Sequence, residues 1–239
     1  MLSKINSFCR GEKLTEKSNP VPINVDQGYS MWADSYVAES HNPLMEIEES
    51  SVINLLPKVK GKHCLDLACG TGRYMSILEK AGASLVVGTD KSFEMLKASS
   101  QDNLIQCAFH PLPFKNGAFD IIVCGLAVGH SSELTKTLAE ASRVLKPGGA
   151  LIYSDFHPFA SLLGWQRTFK TDDSTTYALE HYTHLYQDHV QSCKLADLSI
   201  ETVQEECLRE RGQHQYAAVP VVLTILARKI TDTNEDKSK

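Results

Sequence analysis

Two acids, a glycine turn and a group of histidines are the residues of this chain whose types and spacing could do chemistry. The run Asp66-Leu67-Ala68-Cys69-Gly70-Thr71-Gly72 sets a carboxylate ahead of a Gly-x-Gly turn, and Asp90 follows 24 residues after Asp66. Glycines let a backbone turn sharply and come within contact distance of a ligand. An acid at the end of the next strand can accept hydrogen bonds from both hydroxyls of a ribose. The combination therefore reads as a site for a nucleoside. Downstream, His130 ends Gly125-Leu-Ala-Val-Gly-His130 and His157 stands in Ser154-Asp155-Phe-His157-Pro158, with His181 and His184 further on. Histidine titrates near neutral pH, so such a residue could act as base toward a phenol, an enol or a carboxylic acid.

Particular elements must carry these groups. A strand predicted over Lys62–Ala68 brings Asp66 to its carboxyl end, and a helix over Gly72–Lys80 opens at the glycine turn. A second strand, Ser84–Asp90, ends on the second acid. A helix over Ser92–Ser100 follows, with Ser92 as its N-cap and Phe93, Met95 and Leu96 as apolar contacts. Strands are expected at Asn103–Ala108 and at Phe119–Cys124, the latter almost continuously apolar, as a strand covered on both faces is. Leu134, Leu138, Ala141 and Leu145 repeat at helical spacing over Glu133–Leu145, which stops at Lys146-Pro147-Gly148-Gly149. A fifth strand spans Ala150–Asp155, and a helix (Tyr186–Leu198) and two long strands (Ile200–Leu208 and Ala218–Ile230) complete the chain.

Strand and helix alternate through short links, which argues for parallel pairing. The expected class is α/β, a Rossmann-like, seven-stranded, mainly parallel sheet with helices on both faces. His130 and His157 then fall just past the fourth and fifth strands, at the edge where open α/β sheets bind ligands.

The rhythm divides the chain into a flexible arm over residues 1–22, a domain over 23–230 and a polar, disordered tail over 231–239. Residues 156–185 are rich in aromatics and histidine without clear period, and read as an insertion or lid after strand five. A chain of 239 residues with 42% hydrophobic content suits one domain with a substantial core. Its net charge of -5 offers no general attraction to phosphate backbones or anionic lipid, so neither nucleic acid nor membrane is an expected partner. No segment approaches the roughly 18 consecutive apolar residues of a membrane span. The 7 cysteines are scattered and form no CxxC pair, as free thiols in a reducing, cytoplasmic compartment would be.

DLACGTG at the first turn, GTDKSFEML at the second, then Leu112-Pro113-Phe114, FDIIVC and VLKPGGALI occur in order. With this set the chain resembles the class I S-adenosylmethionine-dependent methyltransferase superfamily. The likeness is greatest to the branch of ubiquinone- and menaquinone-biosynthesis enzymes and the malonyl-carrier-protein methyltransferase. It covers Gly28 to Asp155 well and the last two strands loosely. The resemblance implies S-adenosyl-L-methionine as cofactor and S-adenosyl-L-homocysteine as product. It implies that Ala68, Gly70, Thr71 and Gly72 cradle the methionine part, with Asp66 near its ammonium. Asp90 would hold the ribose, Lys91, Ser92 and Met95 would edge the adenine, and Leu126 would line the sulfonium. The family often has an acid four residues before Leu112 to receive the adenine amino group. Here that position is Ala108, which leaves the contact to main chain. Tyr29, Trp32 and Tyr36 lie near helical spacing in Gly28–Ser40 and could share one face. They either dock a helix on the sheet or, as in the resembling enzymes, close over the cofactor, with Tyr29 and Tyr36 touching its carboxylate or the substrate.

A dinucleotide site normally carries G-x-G-x-x-G, and the third position here is Met75, which argues against NAD. A sulfonium methyl is already activated, so the enzyme has to align the acceptor, exclude water and remove a proton where one is present. Cys124-Gly-Leu-Ala replaces the Asn/Asp-Pro-Pro-aromatic turn of nucleobase amino methylation, and no Pro-Cys pair exists for cytosine C5 chemistry. The expected reaction is O-methylation of a small molecule by in-line displacement, with His130, His157 or His184 as base. Nitrogen or carbon methylation, and a catalytically silent methyltransferase-like partner subunit, are the alternatives. Phe156, Phe159, Trp165, Phe169 and Tyr177 suggest an apolar or aromatic acceptor. No metal is expected: His181, His184 and Asp188 approach helical spacing without supporting thiolates.

Overall fold

In the computed structural model, which describes residues 19–208 and 219–231, the folded chain opens with strand β1 (Val21–Ile23) and helix α1 (Val25–Trp32). Asn24 caps α1 by accepting from the Gln27 amide. A 3-10 turn (Ala33–Ser35) leads to helix α2 (Pro43–Leu55). That helix starts where Asn42 accepts from the Met45 amide and Pro43 occupies the first turn. The alternating section follows as β2 (His63–Leu67), α3 (Arg73–Lys80), β3 (Leu85–Asp90), α4 (Phe93–Ala98), β4 (Leu104–Gln106), β5 (Phe119–Cys124), α5 (Leu134–Val144) and β6 (Leu145–Phe156). The chain ends through α6 (Pro158–Leu162), β7 (Thr168–Lys170), β8 (Thr176–Leu179), α7 (Tyr186–Leu195), β9 (Leu198–Cys207) and β10 (Pro220–Lys229).

One sheet of seven strands runs in the order β4-β3-β2-β5-β6-β10-β9. All neighbours from β4 to β6 are parallel, and β10 is antiparallel to both β6 and β9. This is the expected Rossmann-like α/β sheet. The strand order reverses direction between β3 and β5, with β2 between them, which opens a ligand crevice at the carboxyl ends. Neighbouring residues serve opposite faces. Leu65, Ile122 and Leu151 join one buried cluster, while Cys64, Val123 and Ile152 join the other. Cover on both faces explains why β5 reads as a continuous apolar run.

Several boundaries differ from the sequence reading. β6 begins at Leu145 rather than Ala150, because Phe119 pairs with Leu145 and the Lys146–Gly149 turn is absorbed as a register shift. α7 ends at Leu195, three residues short of Leu198, since Leu198 already pairs with Lys229. Residues 156–185 are ordered into α6 and a β7–β8 hairpin. β8 pairs in parallel with β1, forming a second sheet in the order β1-β8-β7. Val21 and Pro22, expected in the arm, are therefore paired strand residues. Residues 1–18 of that arm, 232–239 of the tail and Ala218 at the start of the last expected strand lie outside the described residues. No helix among the described residues is long and apolar enough to cross a membrane.

Candidate functional site

A cavity of about 370 Å3 opens where β2, β3 and β5 end. Asp66, on β2, is buried, and its Oδ2 accepts from the Met75 amide at 3.1 Å. Burial pushes its carboxyl up to about 7, against the opposing pull of Arg73 and of that amide. The following turn passes through three left-handed residues, Ala68 (φ 59°), Gly70 (φ 55°) and Gly72 (φ 95°). An alanine held there is strained, and such strain concentrates at ligand clamps. A Cβ on Gly70 would meet only Tyr36 Cε1, at 4.0 Å, so the turn faces open space.

Asp90 closes the turn from the neighbouring strand. Its Oδ2 accepts from the Gly70 amide and its Oδ1 from the Ser92 amide, each at 2.8 Å. Burial raises its pKa, and the backbone amides work against that rise. Each carboxylate oxygen has two lone pairs, so a second acceptor site remains on both. The arrangement can accept from two vicinal hydroxyls.

Beneath the cavity lies a polar group with no sequence signal beyond its residue types. Glu48, on α2, is fully buried. Arg73 Nη2 donates to Glu48 Oε2 at 2.6 Å, and the hydroxyls of Tyr74 and Ser154 donate to Oε1 at 2.7 and 2.6 Å. Arg73 Nη1 also reaches Glu49 at 3.1 Å, and its guanidinium lies over the Tyr74 ring at 4.4 Å. The pair anchors the first helical residue after the glycine turn to α2.

The other end of the cavity is built around Leu126, itself left-handed at φ 51°. Arg167 Nη1 donates to the Leu126 carbonyl at 2.6 Å and to His130 Nε2 at 2.9 Å, and its Nη2 donates to the Tyr29 hydroxyl at 3.3 Å. His130 Nδ1 stands 3.0 Å from the Glu180 carbonyl, which fixes the proton on Nδ1 and leaves Nε2 as an acceptor. Burial, with Arg167 beside it, pushes the His130 pKa down to about 3. Tyr29 Oη also lies 3.0 Å from His130 Nε2. The Tyr36 hydroxyl is pushed up to about 12 by burial, so it stays a protonated donor.

The residues expected from sequence divide by location. Asp66, Ala68, Gly70, Asp90, Lys91 and Met95 line the cavity. Tyr29, Tyr36 and Leu126 do as well, and so does His130. Thr71, Gly72 and Ser92 stand behind the lining: the Thr71 carbonyl accepts from Ser99 Oγ at 2.9 Å, and Ser92 caps α4. Lys91 extends outward to pair with Asp26 at 2.6 Å.

Neither His157 nor His184 lines the cavity. The chain turns into α6 directly after β6, so His157 becomes an N-cap. Its Nδ1 accepts from the Phe159 amide at 3.1 Å, and Nε2 faces Tyr186 and Glu205. His184 donates to the Ser131 carbonyl at 2.8 Å, tying the hairpin segment to the β5 side. His181 turns to Asp155 Oδ1 at 2.9 Å, a contact that Gly129 permits because a Cβ there would fall 2.1 Å from the ring. Asp188 accepts from the Leu185 amide, so His181, His184 and Asp188 do not converge. Arg167 was missed by sequence reasoning. It lies in a stretch with no period, and only the folding of that stretch over β5 brings it to the cavity.

Residues 65–153 match the family model described as a methyltransferase domain. A Coxiella burnetii malonyl-[acyl-carrier protein] O-methyltransferase 1 is 39% identical over 95 residues, 39% of this chain and 33% of that protein. A Corynebacterium kroppenstedtii demethylmenaquinone methyltransferase is 39% identical over 98 residues, 40% of this chain and 42% of its own length. The chain spans about half the length of the first curated relatives it matches. Among solved structures, an S-adenosylmethionine-dependent methyltransferase from Mesorhizobium loti superposes with a TM-score of 0.64 at 20% identity, over 76% of this chain and 97% of that one. The shared architecture is the Rossmann-like methyltransferase fold.

Proposed function

We propose, from the premise that this chain carries a class I S-adenosylmethionine-dependent methyltransferase domain, that it methylates an oxygen nucleophile of a small molecule by in-line displacement, leaving S-adenosyl-L-homocysteine. The observation that carries this reading is the Gly70 turn tied to Asp90 at one end of a cavity whose other end holds Leu126, Tyr29 and His130. Asp90 keeps acceptors for a ribose, the open face of Gly70 admits a ligand against main chain, and buried Asp66 gains from an ammonium. The residues present therefore fit the cofactor. When bound, that cofactor supplies a methyl group activated on sulfonium.

The chain's own residues then bind, orient and exclude water. Tyr29 and Tyr36 close the cavity from α1 and the turn after it, and Trp32 stacks on Phe169 with ring centroids 4.9 Å apart, joining that cover to the hairpin. On this reading residues 23–230 act as one catalytic unit, with 156–185 as lid. Of the three candidate bases, His130 is the one that lines the cavity. With Nε2 already accepting from Arg167, and a pKa of about 3, it suits acceptors that are acidic or arrive ionised. Alignment of acceptor, methyl and sulfur is then the main contribution, on the order of 7–11 kcal/mol.

The Coxiella relative, an O-methyltransferase by name, supports oxygen as the accepting atom. The aromatic content of the lid supports an apolar or aromatic acceptor, the net charge of -5 argues against nucleic-acid partners, and the scattered free cysteines support a cytoplasmic protein. Incubating the full chain with methyl-labelled cofactor and a cell extract tests the function. Label in a small product is the expected result. Intact cofactor, with no labelled small molecule, argues for a silent partner subunit instead.

A further inference from the structure

The lysine and arginine residues lining the cavity are Arg73, Lys91 and Arg167. Arg73 is paired with Glu48 and Glu49, and Lys91 with Asp26. Arg167 is different. Its partners are the Leu126 carbonyl, the neutral imidazole of His130 and the Tyr29 hydroxyl, and among the described residues it makes no ion pair. Asp155 is the carboxylate whose field reaches it, yet Asp155 Oδ1 is held by His181 at 2.9 Å and by the Phe156 amide at 2.8 Å.

A guanidinium has five N–H donors in a fixed fork that matches a carboxylate. A half-buried cation without a bonded counter-charge is unfavourable, and an incoming anion offsets that cost. We propose that Arg167, with the Tyr29 hydroxyl, is a carboxylate-binding subsite for the acceptor, so the molecule methylated carries a carboxylate handle. This inference rests on the methyltransferase reading and specifies its substrate class. The acceptor is the expected source of the anion because of where Arg167 lies. The cofactor's own carboxylate belongs with its ammonium beside Asp66 and the glycine turn, where Arg73 is the adjacent cation. Arg167 approaches from the lid and meets the cavity at Leu126 and His130, beyond the turn.

The anionic residues lining the same cavity set a limit on this subsite. Glu133 pairs with Lys136 and His110, Glu180 accepts from the Tyr182 hydroxyl, and Asp26 pairs with Lys91. Asp66 and Asp90 belong to the opposite end. An acceptor carboxylate therefore has one favourable position, against Arg167.

The test is calorimetry on the full chain with benzoate and benzamide, and with succinate and succinamide, each with and without saturating S-adenosyl-L-homocysteine. The carboxylates are expected to bind about tenfold or more tighter than the matched amides, and Arg167→Gln to abolish that preference while moving S-adenosyl-L-homocysteine affinity less than about threefold. Arg167→Lys should keep part of the preference, and Tyr29→Phe should lower it without a change in melting temperature. No carboxylate binding, equal binding of acid and amide, or a preference that survives Arg167→Gln each overturns the subsite. A large loss of S-adenosyl-L-homocysteine affinity in Arg167→Gln, with no carboxylate preference in the parent chain, assigns the guanidinium to the cofactor and also overturns it. A parent chain that binds no S-adenosyl-L-homocysteine defeats the methyltransferase reading instead, and the titrations without it still report on Arg167.

Discussion

The Gly70 amide donates to Asp90 Oδ2 at 2.8 Å, so the turn after β2 and the acid that ends β3 form one rigid unit. Asp90 Oδ1 is fixed by the Ser92 amide. A carboxylate held at both oxygens by main chain is already oriented before a ligand arrives, which lowers the ordering cost of binding.

The two glycines of the turn should respond differently to alanine. At Gly70 the added Cβ has open space, so Gly70→Ala should cost about 1 kcal/mol of stability from its left-handed backbone alone, yet weaken S-adenosyl-L-homocysteine binding by about tenfold or more. At Gly72 a Cβ would fall 2.5 Å from Gln101 Cγ, so Gly72→Ala should lose about 2–3 kcal/mol. Urea unfolding and calorimetry separate the two effects. Wild-type affinity in Gly70→Ala would remove the turn from the ligand.

Asp66 should trade stability for binding. Its folded pKa of about 7 lies above the ordinary 3.8, so the folded state holds this proton more tightly than the unfolded state does. Its contribution is present at acidic pH and is lost as pH rises from the ordinary value through about 7. Asp66→Asn keeps an acceptor for the Met75 amide and removes the buried charge. It should stabilise the free protein by about 1–2 kcal/mol near pH 8, gain little near pH 5, and bind S-adenosyl-L-homocysteine more weakly. Denaturation midpoints at both pH values decide; equal shifts would count against the buried-charge account.

The Glu48–Arg73 pair should behave as a buried ion pair. Glu48→Ala strips Arg73, Tyr74 and Ser154 of a shared acceptor and should cost about 3–5 kcal/mol. Glu48→Leu combined with Arg73→Met should cost less than Glu48→Ala. A double-mutant cycle measures the coupling, and strict additivity would contradict it.

His130 should leave no acid limb in the ordinary histidine range. Burial and Arg167 hold its pKa to about 3, so it is neutral at any pH where the protein is assayed. The pH profile of kcat/KM should be flat from about pH 5.5 to 7.5 apart from the acceptor's own titration. By contrast, His157→Ala should cost about 1 kcal/mol as a lost helix cap and leave kcat/KM within about threefold. A histidine limb near 6.5 that disappears in His157→Ala would reverse these assignments.

The seven strands were legible because each is either an apolar run or closes on a turn signal, and the parallel order of β2 to β6 follows from alternation with helices. The small sheet was not legible. β1, β7 and β8 have three or four residues each, too few to express a period, and β1 pairs with β8 across more than a hundred residues of chain. α2 was not read from the sequence, because its helical face mixes Glu48 and Ser51 with Leu44, Met45 and Val52, since it buries a polar network. The Gly70 turn and Asp90 were legible because one local turn and one strand end supply them. At the opposite end Tyr29 and His130 were legible from their segments, but Arg167 was not, because it comes from a stretch without period that only the fold brings beside them. His157 stays out of the cavity for a local reason: α6 begins immediately after β6 and takes the ring as its cap.

The most direct test of the central claim is calorimetric titration of S-adenosyl-L-homocysteine into the full chain and its Asp90→Ala variant. One ligand per chain is expected, with about tenfold or weaker binding in the variant as the ribose acceptors are lost. Equal affinity in the two proteins, or binding of NADH in place of the thioether, would contradict the account.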